Sequence, residues 1–129
     1  MSAYSLDQDL PGPFPAALAE VKDAMKAEGF GVLSEIDIQT TLRDRIGAEI
    51  EPYVILGVCN PQLASQALQV EPRIGVFLPC AVVVRQEGDK VRVSAQDPQL
   101  IDSVVHVGAL EPLSVDARSR LLRALGRLA

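Results

Sequence analysis

A chain of 129 residues and 13.8 kDa has room for one compact domain and not for a second independent core. With 48% hydrophobic and 22% charged residues it is neither a disordered chain nor a fibrous repeat. Five aromatic residues, no tryptophan and a net charge of −5 argue against stacking platforms for single-stranded nucleic acid and against a phosphate-backbone partner. The apolar runs Val54–Val58 and Ala81–Val84 fall far short of the roughly 20 residues that cross a bilayer, so no transmembrane segment is expected. The start MSAYSLDQDLPGPF shows neither a basic nor an apolar leader region, which makes the cytoplasm the expected compartment.

In chain order, a weak strand is expected at Ala3–Asp7. Pro13 and Pro15 then suit the first turn of a helix, in which Phe14, Leu18, Val21 and Met25 share one face before Gly29 ends it. From Phe30 the period becomes two. Phe30, Val32, Ile36 and Ile38 fall on one parity and Gly31, Glu35 and Asp37 on the other, predicting a strand buried on one face. A short helix capped by Thr40 or Thr41, with Leu42 and Ile46 on one face, is expected to stop at Gly47.

Tyr53–Cys59 reads as a central strand buried on both faces. Asn60 and Pro61 next spell a capped helix start, which places Leu63, Ala64, Ala67 and Leu68 inward until Pro72. The segment Gly75–Pro79 fits several conformations. Ala81–Arg85 and Val91–Ala95 flank a polar, glycine-containing turn and predict a hairpin. Asp97-Pro98 opens another helix, with Leu100, Ile101, Val104 and Val105 as its apolar residues. A last helix from Ser114 or Asp116 carries Leu121, Leu122, Leu125 and Leu128.

Residues 114–129 hold four arginines and one aspartate, while the preceding chain has a net charge of −8. The basic helix is therefore expected to fold back on its own acidic domain or on a second subunit. The fold class is α+β, a small single-domain sandwich in which helices pack on a mixed sheet of about five to six short strands.

Gly57-Val-Cys-Asn-Pro-Gln-Leu-Ala64 and Phe77-Leu-Pro-Cys80 with Ala81-Val-Val-Val84 are less generic. Together with Lys26-Ala-Glu-Gly-Phe-Gly-Val-Leu33, Glu35-Ile-Asp-Ile38, Leu42, Gly47 and Asp97-Pro98, they resemble the bacterial and archaeal family called domain of unknown function 302. The resemblance covers residues 14–105. It implies a small α+β domain, here residues 1–105, that pairs as a homodimer, and it brings no established reaction. Residues 106–129 form a basic amphipathic extension outside it. Ala81 stands where the family pattern has a polar asparagine, which removes one side chain from a polar site.

The two cysteines are too few for a disulfide scaffold and lack CxxC spacing, so reduced thiols are expected. Cys59 precedes a capped helix, whose positive end favours a thiolate and a lowered pKa; the alternative is a buried cysteine serving as a small hydrophobe. Cys80 follows Pro79 at another element boundary. The candidate binding residues are Cys59, Asn60 and Cys80, and the candidate metal set is Cys59, Cys80 and His106. For His106, the chain's one histidine, a surface or capping role competes with metal binding. Asp102 lies four residues before His106 and could orient its imidazole on a helical face. Glu35 and Asp37 alternate on a strand and form a carboxylate pair that a solvated sheet face explains equally well.

Three functions fit these residues. The leading one is a dimeric binding module whose ligand at Cys59 and Cys80 is a soft metal, a metallocofactor or a thiol-reactive compound. The second is a thiol redox or sulfur-transfer enzyme in which Cys59 attacks and Cys80 resolves. The third is a structural dimer with no site, so the residues leave open whether the chain is an enzyme.

Overall fold

The computed structural model describes residues 2–128. Strand β1 (Ser5–Pro11) leads into helix α1 (Phe14–Ala27), edge strand β2 (Gly31–Asp37), helix α2 (Ile38–Ile46), strand β3 (Tyr53–Cys59) and helix α3 (Pro61–Val70). A 3₁₀ segment, Pro72–Phe77, precedes the hairpin of β4 (Cys80–Glu87) and β5 (Lys90–Gln96). Helix α4 (Gln99–Val104), a 3₁₀ turn at Gly108–Leu110 and helix α5 (Glu111–Gly126) complete the order. The sheet runs β1-β5-β4-β3-β2, and every neighbouring pair is antiparallel rather than mixed.

The core lies between one sheet face and helices α1 and α5. Leu6, Ala95, Val82 and Leu56 form a continuous row across four strands, and Val21, Met25, Leu121 and Leu125 cover it. Gly29 adopts φ 86° and turns the chain out of α1, so Phe30 enters the core immediately before β2.

Helix α5 is clasped to α1 by charge. Arg123 and Arg127 donate to the two carboxylate oxygens of the nearly buried Glu28, at 2.9 and 2.8 Å, and Arg118 pairs with Asp97 at 3.3 Å. The arginines thus meet acidic groups of their own domain, and residues 106–128 share its core through Leu121, Ala124, Leu125 and Leu128.

Four expectations are corrected. A register shift between Val32 and Ser34 changes the parity of β2, so Ile36 pairs with Ile55 on the sheet face away from the core. All of β2 is exposed because it is an edge strand. In β3 the buried Val54, Leu56 and Val58 share the core face, while Tyr53, Ile55 and Cys59 on the other parity are half-buried and Gly57 among them is covered by Ser34 and Pro79, as expected for a sheet whose core lies on one face. Asp37, not Thr40 or Thr41, caps α2, its side chain accepting from the Thr40 N–H at 2.9 Å. Val104 is exposed at the end of α4, because only Ile101 of that short helix reaches a buried position.

Candidate functional site

The strand-to-helix corner at the end of β3 is built by local chemistry. Asn60 accepts from the Leu63 N–H at 3.2 Å, capping α3 just after Cys59, and Pro61 supplies the first helical turn. On the adjacent strand, Cys80 pairs with Val58 one position before Cys59. Gly57 is needed beside them. A Cβ there would lie 2.8 Å from the Pro79 ring and would collide with the Ser34 hydroxyl.

Cys59, Asn60 and Cys80 line one cavity of about 70 Å³. Its remaining wall comes from Phe30 and Val58 beneath, Leu63, Ala64 and Ala67 of α3, Ile74 and Leu78, Ile101 of α4, and Leu110, Leu113, Ser114 and Ala117 at and within α5. This explains why the inward residues of α3 are only half-buried: they face the cavity rather than close-packed side chains, and Leu68 is exposed. The site contributions of Ser114 and Ala117 were not visible in the sequence, because they depend on how α5 crosses α3.

Both thiols are unbridged and half-buried. Burial raises the Cys59 pKa, so desolvation outweighs the helix-end effect that predicted a depressed value. Cys80 is pushed up to about 11, chiefly by burial and secondarily by the charge of Cys59. Two protonated thiols in an apolar wall act as soft, weakly polar contacts rather than standing nucleophiles.

The other candidates fall elsewhere. Exposed His106 borders a second groove with Glu71, Arg73 and Phe77, and among the described residues no group of three His, Cys, Asp or Glu is arranged to hold a metal. Helix α4 ends at Val104, so His106 lies beyond it, and Asp102 instead accepts from Ser114. Glu35 pairs with Lys22 of α1 while Asp37 caps α2, so each carboxylate has a structural partner.

The chain matches the family model described as Domain of unknown function DUF302 over residues 6–128, a span that includes α5 and continues past residue 105. It is similar to a solved structure, an uncharacterized conserved DUF302 protein from Bacillus stearothermophilus. The two share 29% identity at a TM-score of 0.91, with 99% of this chain and 100% of that one covered. No protein of curated function matches.

Proposed function

The chain belongs to the DUF302 family, and we propose that within it this protein is a dimeric binding module whose site is the cavity bordered by Cys59, Asn60 and Cys80. The observation that carries this reading is the convergence of both thiols and the capped corner on one apolar cavity. Concave apolar sites with a few polar groups are the usual form of a small-ligand site. Toward such a ligand the two protonated thiols offer soft contacts rather than a ready covalent attachment. Cys59 and Cys80 bring two sulfur donors, and no third donor joins them in a metal set among the described residues. His106 would have to reach the site from the second groove to complete one.

Pairing with a second copy is supported by the edge strand β2, which leaves Leu33 66% and Ile36 48% exposed. An exposed apolar edge invites strand or face pairing. Residence in the reducing cytoplasm is supported by the two unbridged thiols; no described helix is long and apolar enough to cross a membrane. The lining of one cavity by both thiols favours a second reading, exchange in which Cys59 attacks and Cys80 resolves. Their raised pKa values weigh against it.

Native mass spectrometry of anaerobically purified protein, beside the Cys59→Ala/Cys80→Ala double variant, tests the reading. The expected result is a dimer with an added mass that the double variant loses. A bare species, identical in both proteins, would move the assignment to a purely structural role.

A further inference from the structure

We propose that the cavity between α3 and α5 receives a small uncharged apolar molecule, or the uncharged alkyl end of a larger one, with the two thiols forming part of its floor. This inference rests on the reading of the cavity as the binding site and names the chemistry of what enters it. Among the described residues, no Lys, Arg, His, Asp or Glu lines the cavity. A charge carried inside would therefore be desolvated without a counter-charge.

Of the two polar side chains on the described wall, thiols aside, the oxygen of one and the hydroxyl of the other are already engaged. The Asn60 side-chain oxygen accepts from the Leu63 N–H at 3.2 Å, and the Ser114 hydroxyl is hydrogen-bonded to Asp102 and to the Glu111 carbonyl. Water needs two to four polar partners to be held firmly in a cavity, and these walls offer few. Apolar contact is what remains to reward an occupant.

The space exists because the facing positions are small. Ala64 and Ala67 of α3 and Ala117 of α5 all line the cavity, where longer side chains would close it. Its volume of about 70 Å³ is roughly half that of the ~150 Å³ engineered cavity that takes up benzene. The fit is a few carbon atoms or a single large rare-gas atom. Half-buried Leu63, Ala64, Leu113 and Ala117 show that the cavity is not sealed from the surface, so the rest of a longer molecule has a way out.

The test is amide-resolved NMR of the intact protein titrated separately with xenon and with 1-hexanol, repeated on Ala117→Leu and Ala67→Leu. These variants close the same space from facing helices, so either one that folds serves. Saturable shifts centred on Leu63, Cys80 and Ala117 are expected, weakened at least tenfold in the filled variants. Shifts with xenon alone identify a free small molecule as the occupant; shifts with hexanol identify a chain end. No localised shift with either probe, or shifts undiminished in a folded filled variant, would overturn the proposal. A cysteine-dependent mass in native spectra without these shifts would remove this inference and leave the binding-module reading standing. The shifts without that mass would do the reverse for the cysteine-centred ligand.

Discussion

The two ends of the helical layer are packed differently. Between α1, α5 and the sheet, Leu6, Val21, Met25, Leu56 and Leu121 are fully buried, and the Glu28 carboxylate ties the helices together through Arg123 and Arg127. Around α3 and α4, three buried residues, Ile74, Ile101 and Leu110, are ringed by partly buried neighbours, and a cavity lies among them. The first region carries the stability of the fold. In the second, imperfect packing leaves a shaped space beside two thiols, at the strand ends where binding groups commonly gather. The same helix, α5, serves both: Leu121, Ala124 and Leu125 face the core, while Ser114 and Ala117 face the cavity.

Truncation breaks this contrast most directly. Leu121→Ala is expected to destabilise the protein by about 3–5 kcal/mol, whereas Ile101→Ala, in the loosely packed cluster, is expected to cost about 2 kcal/mol or less. Urea unfolding measures both. Equal losses would show that the two clusters are packed alike.

A second difference is chemical. With its pKa near 11, Cys80 is expected to react with iodoacetamide at pH 7 about a hundredfold more slowly than a free cysteine thiol. Peptide-resolved alkylation kinetics report it, and a rate equal to that of an exposed thiol would mean that the cavity wall does not desolvate the sulfur. At the corner above it, Asn60→Ala is expected to lose about 1 kcal/mol through the α3 cap, also read by urea unfolding.

The ion-pair clasp yields the smallest effect, and its sign follows from the lowered Glu28 pKa, held down first by the hydrogen bonds from Arg123 and Arg127. Folding favours the charged carboxylate. Its contribution is therefore fully present above the ordinary glutamate value and is lost as pH falls through the lowered native value. Glu28→Gln is expected to be less stable at neutral pH and to show a shallower loss of stability in acid. Parallel acid-unfolding curves for the two proteins would contradict this.

Much of the architecture was legible in the sequence because its signals are local. Asn60-Pro61 marks a helix start by capping chemistry, Gly29 and Gly47 mark helix ends by their left-handed backbones, and the polar turn after Arg85 marks the hairpin. The face of β2 was not legible, since one register shift after Val32 reverses the parity on which alternation depends. The thiols were recognised as candidates, but their place on one cavity wall depends on β3 and β4 being neighbours, a long-range fact that no spacing encodes. The cavity's far wall was equally hidden, because Ser114 and Ala117 reach it only through the docking of α5. The expected Cys59 pKa failed for a related reason: the helix end is local, whereas the burial that overrides it is supplied by distant segments.

The most direct test of the contrast is one substitution made twice on one helix. Ala117 and Ala124 lie two turns apart on α5, the first on the cavity and the second fully buried in the core. In urea unfolding, Ala117→Leu is expected to be neutral or to stabilise by about 0.5–1 kcal/mol by filling space, and Ala124→Leu to destabilise by about 1–3 kcal/mol by overpacking. Losses of similar size at both positions would mean that no usable space lies between α3 and α5, and the binding site assigned there would fall with it.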